Sequence, residues 1–268
     1  MAARRRSKYL SSGWWSWQGE RFVDFVSARW LKWRLRRAAP TLTADERWAK
    51  WLKHLELIRA ELHAVYRNRA VFRRLQQVFH DNPRLNAEGG WVYRRLLDYY
   101  AAYIVIAVRR EVDTGPDGLT LLQILMEMRR YNDILSRERF MSRFENREPP
   151  IADFVREMGK KDFDRWSDNG DYISHGMLNK DLKELRRRTA TVVNYANKRV
   201  AHRTLDEATL TITQSDEALA HIEEVMQKYY TILAGPALFG LEPAIQFDWE
   251  NVFTFPWIEP RPSHDERE

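Results

Sequence analysis

The chain has 268 residues and a mass of 32.1 kDa, room for one large domain or one domain with appendages. It contains no cysteine, which excludes disulfides, thiol nucleophiles and zinc–thiolate sites and fits a reducing cytoplasm. Its net charge of +6 is unevenly placed: residues 1–39 carry ten Lys/Arg against Glu20 and Asp24, a local +8, so the remainder is about −2. The basic balance therefore belongs to the amino-terminal arm and does not by itself make the main body a phosphate-binding surface.

The arm, 1–40, is rich in tryptophan as well as arginine: Trp14, Trp15, Trp17, Trp30 and Trp33 all lie within it. Tryptophan beside arginine fits a membrane-surface helix or a base-stacking segment. On a helical wheel Phe22, Phe25, Val26, Trp30 and Trp33 share a side, but Arg29, Arg36 and Arg37 point into that side, which disfavours the membrane case. The leading expectation is a helix docked on its own bundle or on a second subunit, its arginine stems covering apolar surface. No apolar core or cleavage site follows the basic amino terminus, so no secretory signal is expected. No apolar run approaches the roughly 20 residues of a membrane span.

A helical domain is expected over 41–236. Gly and Pro are sparse and no two-residue alternation persists, so the pattern is all-α. From about Asp45 to His80, Trp48, Trp51, Leu55, Ile58, Leu62, Val65, Phe72, Leu75 and Phe79 recur at three- and four-residue steps and form one stripe. Thr43 and Glu46 have the spacing of a capping box, and Asp81-Asn82-Pro83 reads as a stop. A second helix is expected over Trp91–Asp113, apolar nearly all round in its middle as a central bundle helix would be. Gly115-Pro116-Asp117-Gly118 breaks it. Two shorter helices, Leu119–Tyr131 and Ile134–Asn146, come next, then short helices and loops over 151–175. A helix from Met177 to Arg203 follows. The last spans Asp216–Leu233, with Leu219, Ile222, Val225, Met226, Tyr229 and Leu233 on one face. The tail, 237–268, is aromatic, proline-containing and irregular.

One stretch carries a hint of chemistry: Asn197-Lys198-Arg199-Val200-Ala201-His202. Leu182, Leu185, Val192, Val193, Ala196 and Val200 form the apolar stripe of its helix. At about 100° per residue, His202 projects roughly 130° from the centre of that stripe, with Lys198 and Arg199 beside it. A histidine near neutrality can take the proton of a ribose 2′-hydroxyl or give one to the leaving oxygen, and a guanidinium stabilises the extra charge on phosphorus. The same residues also describe an ordinary helix end, where cations are favoured by the backbone dipole. Arg110 and Asp113 could support the site from the facing helix, or form a salt-bridged helix end. His54, His63, His80, His221 and His264 have no partner at metal-ligand spacing, and His175 reads as a loop residue before a helix. No metal or cofactor is expected.

Three of these segments together resemble the HEPN superfamily, in its AbiU-type abortive-infection branch. Tyr99–Asp113 followed by Gly118-Leu119-Thr120-Leu121-Leu122-Gln123-Ile124-Leu125 is similar to that branch's helix ending in Arg-Arg and Asp, then a Ser/Thr-Leu-rich helix start. Asn197–His202 resembles its Arg-Asn/Asp-Lys-x-x-Ala-His signature, and the closing helix at 216–233 lies in the matching place. The resemblance covers roughly 45–235. It implies a HEPN-type helical bundle, often a homodimer with the Arg/His motifs facing each other, and a cytoplasmic antiviral-defence or toxin–antitoxin protein. It further implies metal-independent endoribonuclease activity on RNA and an antitoxin or defence partner protein. Carried over, His202 matches the histidine, Asn197 the polar residue and Lys198 the lysine. The arginine's place is taken by Ala196, and Arg199 is the substitute on the same face. Two expectations therefore stand: a ribonuclease using His202 and Arg199 with Asn197, Lys198, Arg110 and Asp113 in support, or a non-catalytic module that binds RNA or a partner protein.

Overall fold

A computed structural model describes residues 42–115, 119–144, 151–201, 209–235, 241 and 248–254. The chain divides into two units, Met1–Glu46 and Arg47–Glu268. The expected arm, 1–40, and most of the expected tail lie outside the described residues. In the first unit Thr43 and Glu46 form the expected capping box. The Thr43 N–H donates to Glu46 Oε2 at 2.8 Å, and the Glu46 N–H donates to Thr43 Oγ1 at 3.3 Å. That opens helix α1, Ala44–Asp81.

The described residues are all-α, with no strand among them and a single isolated bridge between Ser136 and Tyr172. After α1 come α2 (Pro83–Glu111), α3 (Leu121–Arg130), a 3-10 turn at Asn132–Ile134, and α4 (Arg137–Ser142). The remainder are α5 (Ile151–Ser167), α6 (His175–Tyr195), α7 (Ile212–Ala234) and a 3-10 turn at Trp249–Phe253. The α1 stripe is the core stripe: Trp51, Leu55, Ile58, Leu62, Val65 and Phe72 are buried, with Phe72 stacked on Tyr100 of α2 at 4.0 Å. Each such aliphatic side chain withdrawn from water contributes about 1.5–3 kcal/mol.

Several boundaries differ from expectation, each for a local reason. α2 begins at Pro83 and not near Trp91, because the break after α1 is a single residue. Asn82 turns the chain, its Nδ2 donating to the Val78 carbonyl at 2.6 Å, and Pro83 enters at the first helical position, where its missing N–H costs nothing. The middle of α2 is not apolar to its own bundle all round. Tyr100, Ile104, Val105 and Val108 are buried, but Tyr99 is 69% exposed and Tyr103 and Ile106 also face out. Elements α6 and α7 pack against α2, while Tyr103 and Ile106 line a groove that α2 shares with α1. The expected helix Ile134–Asn146 is a 3-10 turn followed by the six-residue α4, separated by Leu135 and the Ser136 cap. Residues 151–167, expected as short helices and loops, form one helix, seated on the core by the buried Phe163 and Trp166. There Gly159 lies so close to Phe144 that an added Cβ would stand 2.7 Å from the ring, so only glycine fits.

α6 and α7 form the centre of the second unit together with α2. Ser174 caps α6 by accepting from the Met177 N–H, which makes His175 the first residue of the helix and not the loop residue expected. α7 starts at Ile212, four residues earlier than the apolar pattern alone indicated, because Thr211 and Gln214 make a full capping box. All six residues expected on its core face are buried. The Tyr229 hydroxyl and Lys228 Nζ donate to Asp181 of α6 at 2.8 and 2.6 Å, and the Tyr66 hydroxyl of α1 donates to Glu223. α7 ends at Gly235, whose φ of 101° is the left-handed backbone that favours glycine. Among the described residues no helix is long and apolar enough to cross a membrane.

Candidate functional site

The helix carrying the basic run changes character at its start. α6 is regular to Tyr195; from Ala196 to Ala201 the backbone is a π-helix, with each turn widened to an i to i+5 hydrogen bond. The expected continuous α-helix to Arg203 is therefore replaced by a bulged segment, and facing directions past Ala196 do not follow a 100° wheel. Such bulges recur at functional sites because the extra residue re-aims side chains without ending the helix. α2 packs against this segment as well as against α6.

Leu178, Leu182, Leu185, Thr189, Val192 and Ala196 make the buried side of the helix. Ala196, in the place of the arginine that the HEPN resemblance implies, is 1% exposed. A guanidinium there would be stripped of water inside the bundle, so a methyl group is what the packing accepts. Asn197 and Arg199 are exposed and Lys198 is half-buried. Arg199 has no carboxylate partner among the described residues. His202 lies outside the described residues.

Asn197 opens onto a groove of about 370 Å³ between α6 and the segment joining α2 to α3. On the α6 side it is lined by Arg186, Ala190 and Asn194, one face of α6 at steps of four residues, and by Asn197 from the π-helical segment. Val112, Thr114 and Leu122 form the opposite wall. No carboxylate occurs among the described residues that line it. The three consecutive arginines of α6 differ in what they meet. Glu184 holds Arg187 at 2.6 Å and Arg188 at 3.6 Å, whereas among the described residues Arg186 meets the Met126 sulfur, at 3.6 Å, and no carboxylate. The groove thus offers a guanidinium, two carboxamides and the Thr114 hydroxyl with no described acid to neutralise them, while the hydroxyl of its other threonine, Thr189, is spent on the Leu185 carbonyl.

The supporting residues on α2 and after it are engaged elsewhere. Arg110 pairs with Glu61 of α1 at 2.6 Å, both about half exposed, and lines a second groove of about 200 Å³ between α1 and α2. The Asp113 carboxylate accepts from the Gly115 N–H at 3.1 Å, and its carbonyl accepts from the Thr120 hydroxyl at 3.0 Å. Asp113 therefore shapes the α2–α3 link that walls the Asn197 groove, and Arg110 faces the other groove.

Between these two stands Glu111, which the sequence reading passed over. It is 2% exposed and accepts the Leu121 N–H at 3.3 Å, the first amide of α3. Burial pushes its carboxyl up to about 7; the Leu121 amide opposes the shift, Glu61 adds to it and Arg110 opposes it. A signal was present: residue 111 continues the buried Ile104–Val108 side of α2 at the helical repeat, so a glutamate there had to be inside.

Among the described residues no cluster of His, Asp and Glu could hold a metal ion. His54, half-buried, is held below its usual range by that burial and by Lys50. His221 pairs with the adjacent Glu224 at 3.1 Å. No family model matches the chain, and neither a curated protein nor a solved structure matches it.

Proposed function

We propose that the protein is a HEPN-type, AbiU-like antiviral-defence protein that acts on RNA in the cytoplasm, with the Asn197–His202 segment at its working surface. The observation that carries this reading is an electrostatic one. Asn197 opens onto a groove that bears Arg186 and no described carboxylate, and the neighbouring exposed Arg199 has no described acidic partner. Free guanidinium groups beside a concave polar surface are what phosphate binding requires, because each one neutralises a backbone charge and orients it.

In the catalytic form of the proposal, His202 takes the 2′-hydroxyl proton as the 2′-oxygen bonds to phosphorus. The bond from phosphorus to the 5′-oxygen breaks, and that oxygen leaves with a proton returned by histidine. The products are a 2′,3′-cyclic phosphate and a 5′-hydroxyl. Arg199 offsets the added charge on phosphorus. A second copy facing the first across a homodimer would supply a second histidine, separating the base from the acid.

The second reading is a non-catalytic module that binds RNA or a partner protein such as an antitoxin. It is favoured by one observation, the burial of Ala196 where the signature arginine would stand. Incubating RNA with the purified full-length chain in the presence of a chelator separates the two. Cleavage that falls by about 10²–10⁴-fold in His202→Ala and falls in Arg199→Ala establishes the enzyme. Equal activity in wild type and His202→Ala removes His202 from catalysis and leaves the binding module.

A further inference from the structure

We propose that the groove beside Asn197 is a nucleotide subsite that takes an unstacked adenine from single-stranded RNA, with Asn194 reading the base and Arg186 holding the phosphate chain. This rests on the RNA reading above and names what that surface selects. Asn194, near the end of α6, and Asn197, in the π-helical segment that follows it, both line the groove, so two carboxamides open onto one surface. A carboxamide presents a donor and an acceptor side by side. Adenine offers the complementary pair, its N7 accepting and its N6 amino group donating, which makes asparagine and adenine the matched partners. Guanine offers two acceptors on that edge and would leave the carboxamide oxygen unpaired.

The walls fit a flat heterocycle. Ala190, with only a methyl group, leaves open the stretch of groove between Arg186 and Asn194, and the half-buried Val112 and Val193 provide apolar surface for the ring faces. A volume of about 370 Å³ is within the range of small-molecule sites. The base must leave its stack to enter a concavity, so the substrate is a single strand, a loop or a bulge and not a duplex. Arg186 lies eight residues before Asn194, about 12 Å along the same face, at a distance suited to the phosphates flanking the seated base and not to the base itself. Its neighbours Arg187 and Arg188 are already bound by Glu184, so the guanidinium available to a phosphate is the one that faces the groove. Thr114 adds a hydroxyl from the opposite wall.

Fluorescence anisotropy with labelled RNA 10-mers of A, U and C and with a hairpin duplex tests the subsite on the full chain. Wild type is expected to bind oligo-A about 5- to 100-fold more tightly than oligo-U or oligo-C, the range of one bidentate base contact, and to bind the duplex weakly. Asn194→Ala is expected to erase the preference for A, bringing oligo-A affinity down to that of oligo-U and oligo-C. Arg186→Ala is expected to weaken all single strands alike and to lower the slope of log affinity against log salt by about one. Both positions are exposed, so unchanged thermal melting verifies the fold of each variant. RNA binding without preference among A, U and C, or with a preference that survives Asn194→Ala, overturns the subsite and leaves the RNA reading standing. Absence of any RNA binding by wild type overturns both.

Discussion

Two grooves lie either side of the carboxy-terminal end of α2, and they treat charge in opposite ways. The α1–α2 groove satisfies its own charges. Arg110 is matched by Glu61 at its mouth, and the buried Glu111 is tied to the first amide of α3, its affinity for a proton raised until it need not be charged at neutral pH. The groove on the α6 side leaves its polar groups open. Arg186, Asn194, Asn197 and Thr114 face it with no described acid. A surface that satisfies its own charges is acting as structure, because an outside ligand would have to break existing pairs. A surface that presents unpaired cations and amides in a concavity keeps its binding energy for something else.

The largest expected effect lies at Ala196. Ala196→Arg, which would introduce the arginine that the HEPN resemblance implies, is expected to lose more than about 4 kcal/mol of folding stability by chemical denaturation. It forces both volume and an unpaired charge into a site that is 1% exposed. A variant that folds normally and gains cleavage activity would show that the segment can turn that side chain outward, and would strengthen the enzyme reading.

Glu111 gives the next largest effect. Its carboxyl is raised from the ordinary 4.5 to about 7, so the folded chain holds a proton there that the unfolded chain releases over that interval. Stability therefore falls as pH rises from about 4.5 to about 7, by about 3 kcal/mol, and levels off above. Glu111→Gln, which keeps an acceptor for the Leu121 amide, should flatten this slope and be more stable than wild type at pH 8. A slope that persists in the variant places the pH dependence elsewhere. The smallest effect belongs to the exposed pair. Arg110→Ala is expected to cost less than about 1 kcal/mol and to leave RNA affinity unchanged. RNA binding that falls in Arg110→Ala as far as in Arg199→Ala would join the two grooves into one functional surface.

Much of the fold was legible because periodicity reports burial directly. The α1 stripe and the Leu219–Leu233 face of α7 needed only the helical repeat, and the Thr43–Glu46 cap only its spacing. The α2 start was missed because Asn82-Pro83 is both a stop and a start, and nothing local says how long the interruption lasts. Helix α5 was missed because its buried anchors, Phe163 and Trp166, are few and its other large apolar residues, Phe154 and Met158, face outward, so no apolar stripe marks it. At the site, Ala196 was readable as a packing residue from its place on the stripe. Arg186 was not distinguishable from Arg187 and Arg188, since three successive arginines look alike until Glu184 takes two of them.

The sequence alone determined the helical class, the central helices, the basic hexapeptide and the place of Ala196 on an apolar stripe, all of which follow from residue type and spacing along one chain. Tertiary structure alone decided that Asn197 opens onto a groove with Arg186, that Arg110 belongs to Glu61, and that Glu111 is buried. Each of those depends on which residues from distant segments meet. Coulombic and hydrogen-bond partners act over a few ångströms of space, whatever their separation in sequence.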